Sequence, residues 1–369
     1  MAHAVAPVHT PARASLPRTD VTLIDCDVHN YPNSIQDLLP FLPERWQAYV
    51  KQSGFQRPPE TTYPKGFELA ARRDAWPPNG KRPGGDPAFA IRQLLDEWRM
   101  DYAVLAPLYA VSQVHNLDFA NALMRAVNEF TASAWLNSDP RWRGSIVVNI
   151  EDPAAAAAEI ARAAKDPRFV QVLLLVRSSE PYGRRRFHPI FKATCEAGLP
   201  CGIHFGGGPN PITACGWPSY YIEDHTGMTQ AFEAQVISMV VEGLFEQFPA
   251  LRVAIIEGGF AWLPPLMWRL DKNYKGLRHE VPWLRRLPSE YIREHFRATT
   301  QPMEEPANPA HLLQILDMLG REDFLMFATD YPHWDFDAPD RAVPTTVPKA
   351  LRAKIMAKNA NAFYDFHRA

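Results

Sequence analysis

Short apolar runs recur along this 369-residue chain, and each is followed by a longer stretch whose apolar positions return at helical spacing. Beyond residue 94 the runs are 103–106, 145–149, 170–176, 200–204, 253–257, 296–299 and 324–329. The helix-period stretches among them are 117–136, 153–164, 189–197, 229–248, 262–274, 311–319 and 347–358. Residues 21–29 (VTLIDCDVH) add one more buried-strand pattern that turns polar at its end. Strand alternating with helix argues for a parallel sheet. Eight such units favour closure into a (β/α)8 TIM barrel over an open doubly wound sheet. The stretch of about 32–90 breaks the pattern, being rich in Pro, Gly and Arg with only short helical pieces at 35–42 and 43–50. Irregular connections of this length usually serve function, so an insertion forming a lid after the first strand is expected.

Composition changes this picture in few places. The 35 prolines are roughly double the average usage of about 5%, which alone would signal disorder. A hydrophobic content of 46%, with 11% aromatics, nevertheless supplies enough surface for a large core. Many prolines fall after the first strand or beyond strand ends, among them Pro209, Pro211, Pro218, Pro332 and Pro339, where their fixed φ stiffens a rim of long loops. Residues 1–20 are Ala/Pro-rich and lack a secretory h-region, so they are expected to be a disordered tail on a cytoplasmic protein whose barrel domain spans 21–369. A formal charge of -2 gives no footprint for nucleic acid, and no apolar stretch nears the 18 or so residues of a membrane span. Cys26, Cys195, Cys201 and Cys215 form no C-x-x-C pair, which argues against a zinc ribbon or a dithiol centre. The glycine cluster 206–208 meets Pro209 and Pro211 before a helix can start, so a dinucleotide fingerprint is lacking, as are G-x-S-x-G, H-E-x-x-H and P-loop motifs.

In a barrel the chemistry gathers at the carboxyl ends of the strands. Asp25, Asp27 and His29 share one face of the first strand by the period of two, the fifth candidate strand ends at His204, the sixth at Glu257, and the eighth runs into Asp330. Singly, each has an ordinary reading as a helix cap or a hydrogen-bonded core histidine. Together, several carboxylates converging on one barrel mouth would be costly to desolvate, and a divalent cation is the usual remedy. The loop after the fifth strand adds Glu223 and His225, which would face the same way if that segment is extended. Trp217, Tyr221 and Trp334 fall on the active face beside Arg177, at the end of the fourth strand. They point to a bulky, ring-containing substrate whose carboxylate Arg177 could bind.

The ordered set Ile24-Asp25-Cys26-Asp27-Val28-His29, Gly202-Ile203-His204-Phe205-Gly206, Glu257-Gly258-Gly259 and Thr329-Asp330-Tyr331-Pro332-His333, closed by Asn359-Ala360-Asn361-Ala362-Phe363-Tyr364, resembles the amidohydrolase-related branch of the metal-dependent hydrolases. That branch includes aminocarboxymuconate semialdehyde decarboxylase and the resorcylate-type decarboxylases. The resemblance implies a metal held by Asp27, His29, His204 and Asp330. It also implies hydrolysis or non-oxidative decarboxylation, through a metal-bound water or a metal-polarised substrate, in a homo-oligomer such as a dimer. Asp27 stands where the family often has His, and Glu257 where its sixth-strand motif carries a His that is often catalytic. Two site inventories follow. With one Zn or Mn, Glu257, His225 and Asp330 are the expected catalytic groups, with Glu257 or His225 moving the proton. If Glu257, Glu223 and His225 also bind metal, the set suits two Fe ions and a non-heme diiron monooxygenase.

Overall fold

The computed structural model describes residues 21–59, 68–208, 210–211 and 213–366, so the expected 1–20 tail lies outside the described residues. Eight parallel strands follow one another around a single sheet: β1 (Ile24–Val28), β2 (Tyr102–Leu105), β3 (Trp142–Val147), β4 (Phe169–Arg177), β5 (Cys201–Gly207), β6 (Val253–Ile256), β7 (Phe296–Thr299) and β8 (Leu325–Met326). Backbone bonds join the end of β8 back to β1, from Cys26 N to Phe327 O (2.9 Å), Asp330 N to Asp27 O (3.1 Å) and His29 N to Tyr331 O (2.7 Å). The expected (β/α)8 barrel is therefore present. The helices wrap it through an apolar layer that includes Leu94, Phe119, Trp135, Ile160, Phe191, Val236 and Met267, all buried.

The departures from the sequence pattern have local causes. β3 begins at Trp142, ahead of the apolar run, because Arg143 is buried with its guanidinium 4.4 Å over the Tyr102 ring, and Gly144 gives the Phe169 ring room that a Cβ, 2.7 Å away, would take. β8 is shorter than expected because the next amides are taken by side chains, Ala328 N by Thr300 Oγ1 (3.1 Å) and Thr329 N by Asp25 Oδ1 (3.0 Å). The expected helix 229–248 breaks into Thr229–Val241 and Leu244–Gln247 around Gly243, whose φ of 76° suits glycine. A helix at Pro288–His295, ahead of β7, was not anticipated from the sequence, although Tyr291, Ile292 and His295 bury one face of it.

Among the described residues the insertion holds short helices, the longest being Glu44–Ser53, and it is stitched to two strand exits. Trp334 N donates to Ala70 O (2.7 Å), Arg72 N to Pro332 O (3.0 Å), and Tyr31 N to Gly84 O (2.7 Å). Gly84 has a φ of 68°, and a Cβ there would stand 2.6 Å from His29 O. The insertion thus forms the rim over the ends of β1 and β8. No helix among the described residues is long and apolar enough to cross a membrane.

Candidate metal centre

β1 delivers Asp25, Asp27 and His29 on one face, all fully buried. Asp25 is not part of the mouth cluster: it accepts from Thr329 N (3.0 Å), Thr329 Oγ1 (2.6 Å) and Asp27 N (3.1 Å), and so ties β1 to the end of β8. Burial pushes its carboxyl up to about 7 despite those bonds. Asp27 and His29 do reach the mouth. One ligand atom each from Asp27, His29, His204, Glu257 and Asp330 lies within 4.8 Å of all the others. Glu257 and Asp330 hold left-handed backbone, with φ of 55° and 63°, a strained state for residues other than glycine that concentrates at functional sites.

Backbone carbonyls set the two imidazoles. His29 Nδ1 donates to Ala106 O at 2.8 Å and His204 Nδ1 to Phe205 O at 2.6 Å. Both Nε2 atoms therefore face carboxylates: His29 Nε2 lies 2.6 Å from Asp330 Oδ1, and His204 Nε2 lies 3.1 Å from each oxygen of Asp27. An imidazole lone pair against a carboxylate oxygen is repulsive unless a proton or a cation lies between them. The metal-free chain answers with protons. Burial raises the Glu257 carboxyl to about 8, with Asp335 and Asp27 adding to the rise and His204 and His225 opposing it. Burial and the neighbouring Glu257, Asp335 and Asp27 also hold the Asp330 carboxyl far above the usual range. For His204 burial acts downward, but Asp27 and Glu257 outweigh it and lift the ring to about 9; for His29 burial prevails and lowers it to about 4. A divalent cation replaces such protons at the same atoms. Imidazoles pinned through Nδ1 with hard carboxylate partners fit Zn or Mn, because a cation at Nε2 leaves both backbone bonds intact.

A second group stands beside the first. His225 Nε2 is 3.1 Å from Asp335 Oδ2 and 3.7 Å from Glu257 Oε1, and Asp335 and Glu257 lift the ring against the opposing effect of burial. Glu223 does not join them, which corrects the expectation from the sequence. Residues Tyr221–Thr226 form a helix, not an extended segment, so positions two apart point to different sides. Glu223 instead turns back to accept from Ser219 N (2.8 Å) and Tyr220 N (2.7 Å) at the start of that helix. Two residues without an assigned role in the sequence pattern prove central. His333 stacks on His29 at 4.3 Å, with Nδ1 at 2.9 Å from Asp330 Oδ1 and Nε2 at 3.3 Å from Tyr31 Oη. Asp335 completes the His225 group and accepts from Gln301 Nε2 at 2.9 Å. His333 stood in the motif that carries the resemblance but was given no role there, and the only signal for Asp335 was the polar density of the segment after Asp330.

A cleft opens over both groups and is lined by Arg177, Phe205, Tyr221, Glu257, His333 and Trp334. Arg177 is already engaged: Nη2 reaches both oxygens of the buried Asp224, at 2.8 and 2.9 Å. Its Nε and Nη1 are buried with no hydrogen-bond partner. Trp217 lies apart, half exposed, in a separate depression with Cys215, Pro218 and Ile222, so it does not join Tyr221 and Trp334.

The amidohydrolase family model matches residues 24–366. The chain belongs to the amidohydrolase family. This amidohydrolase is 26% identical over 302 residues to the gamma-resorcylate decarboxylase of Polaromonas sp. strain JS666, covering 75% of the chain and 86% of that protein. It is 25% identical over 299 residues to the enzyme of the same name from Rhodococcus jostii, covering 75% and 87%. Among solved structures, a dihydroxybenzoic acid decarboxylase from Polaromonas sp. JS666, with bound manganese and the inhibitor 2-nitroresorcinol, superposes with a TM-score of 0.66 at 22% identity, covering 95% of this chain and 98% of that one. An amidohydrolase from Mycobacterium avium subsp. paratuberculosis superposes with a TM-score of 0.71 at 19% identity, covering 94% and 100%. At those identities the two structures support the fold.

Proposed function

We propose that this chain is a metal-dependent carboxy-lyase that removes CO2, without oxidation, from an aromatic carboxylic acid. The observation that carries the reading is the convergence of Asp27, His29, His204 and Asp330 on one buried point beneath a cleft walled by Tyr221 and Trp334. The curated relatives are decarboxylases of a resorcylic acid, which favours this chemistry over the diiron oxygenase alternative; hydrolysis at the same centre is the neighbouring possibility.

In this reading Asp27, His29, His204 and Asp330 hold a Zn or Mn ion, which when bound supplies positive charge to an oxygen substituent of the ring. The ring lies against Tyr221 and Trp334, which pack edge to face on each other, and Arg177 presents Nε and Nη1 to the carboxylate. Donors buried without a partner cost about 1–3 kcal/mol each, so an anion placed there gains strongly. Asp330, bonded to His333 and through it to Tyr31, delivers a proton to the carbon that bears the carboxylate. The carbon–carbon bond then breaks, its electron pair returns to the ring, and CO2 leaves. The four cysteines are free and support a reducing, cytoplasmic setting, and the exposed Trp217, Tyr220 and Ile222 support a homodimer.

The test is a panel of hydroxylated benzoates given to Mn-loaded protein, with CO2 release followed before and after chelation. Release from at least one ortho-hydroxybenzoate, abolished by chelation and restored by Mn, is expected. Dioxygen consumption with a hydroxylated product, or no CO2 from any member, would overturn the reading.

A further inference from the structure

We infer that the substrate extends from the metal cleft into a neighbouring hollow, where Arg82 Nε and Tyr109 Oη take a second anionic group, a carboxylate or a phosphate ester. The inference rests on the carboxy-lyase reading above and specifies the far end of its substrate.

Space makes the first argument. The cleft over the metal-binding groups offers about 80 Å³, well under the roughly 300–1,000 Å³ of small-molecule sites, whereas the hollow beside it offers about 410 Å³. Leu108, Gly206 and His333 line both, so the two adjoin. A substrate whose reacting group occupies the cleft therefore finds room for the rest of its bulk in the hollow.

The wall of the hollow supplies the second argument. Arg82 Nε is buried with no hydrogen-bond partner, and no carboxylate among the described residues pairs with its guanidinium. Tyr109 Oη, on the same wall, is likewise buried without a partner. Burial pushes the Tyr109 phenol above its ordinary pKa, against the pull of Arg82 and Arg57, so the hydroxyl stands as a donor. Glu68, also on this wall, is exposed and makes no pair with Arg82. Two unpaired donors, one of them on a cation without a counter-ion, suit an anion that satisfies both by charge-assisted hydrogen bonds.

The backbone holds Arg82 in place. Arg82 N donates to Asn33 Oδ1 (3.2 Å), Asn33 Nδ2 to Gly85 O (3.0 Å) and Tyr31 N to Gly84 O (2.7 Å), which fastens this turn of the insertion to the exit of β1. The guanidinium lies 5.3 Å from the centre of the Tyr31 ring, and Tyr31 Oη meets His333 Nε2 at 3.3 Å. The cation is thus pre-organised beside the reacting centre.

The probes are 3-hydroxybiphenyls ending at C4′ in methyl, carboxylate or phosphate, which are the decarboxylated products of the corresponding 4-aryl-2-hydroxybenzoates. Calorimetric titration into Mn-loaded full-length protein should give a Kd for the carboxylate or the phosphate about 10- to 100-fold below that for the methyl compound, and the tighter of the two names the group. Arg82→Met should erase that advantage. Tyr109→Phe, which removes only a hydroxyl that bonds nothing, should cut it about threefold or more without lowering the melting temperature. Equal affinity for the three ligands in the wild type, or an advantage that survives both substitutions, would overturn the inference; a merely structural loss weakens all three ligands alike and leaves their ratio standing. The parent 4-aryl-2-hydroxybenzoates test the reading beneath it. No CO2 from any of them, with the ligand ratios as expected, would overturn the carboxy-lyase and leave the anion subsite standing.

Discussion

Asp330→Asn is expected to abolish turnover, lowering kcat by about 10³-fold or more, while the protein folds as well as the wild type or better. The first half follows from position: Asp330 contributes a ligand atom to the first group and is hydrogen-bonded to both His29 and His333, so the amide weakens the metal site and breaks the proton path together. The second half follows from electrostatics. Burial and three neighbouring carboxylates raise the folded-state pKa of Asp330 well above its unfolded value, so the ionised side chain costs stability as pH rises from about 4 toward that raised value. A neutral amide avoids the cost. Metal-free Asp330→Asn should therefore melt at an equal or higher temperature at pH 7, and the advantage should shrink as pH falls toward about 4 and vanish below it, where the unfolded wild type is protonated as well. Thermal melts across that range check the sign. A variant that is inactive because it is unstable would contradict the account.

Arg177→Met should cost about 3–5 kcal/mol of stability, because it strands the buried carboxylate of Asp224 without its partner. The single substitution therefore says little about substrate binding. Arg177→Met combined with Asp224→Asn removes both charges and should recover most of that loss. In the double variant KM for carboxylate substrates should rise roughly 10- to 100-fold, the range of a charge-assisted hydrogen bond of about 1.5–3 kcal/mol, with a smaller change in kcat. Denaturant titration and steady-state kinetics read the two effects separately. An unchanged KM would place the substrate carboxylate elsewhere in the cleft.

These two residues also mark the limits of what the sequence conveyed. Asp330 was legible because a parallel strand buried on both faces writes a continuous apolar run, and a polar residue just past such a run in a barrel faces the mouth. The same logic located Asp27, His29, His204 and Glu257. It could not reveal the Arg177–Asp224 pair, which joins residues 47 positions apart through a contact that no local pattern records. It misplaced Glu223 because six residues are too few to tell a period of two from one of 3.6, and the segment proved helical. It gave His333 and Asp335 no role because they follow the strand in a loop, where backbone hydrogen bonds to Ala70, Thr329 and Asp330 set the side-chain directions instead of a repeating period.

The central claim is that Asp27, His29, His204 and Asp330 form a metal site. Crystals of the protein grown with Mn(II), with data collected on either side of the manganese absorption edge, test it most directly. The account predicts an anomalous difference peak at coordination distance from His29 Nε2, His204 Nε2 and the carboxylates of Asp27 and Asp330. A map with no peak among those four side chains, with manganese present in the crystal, would contradict it.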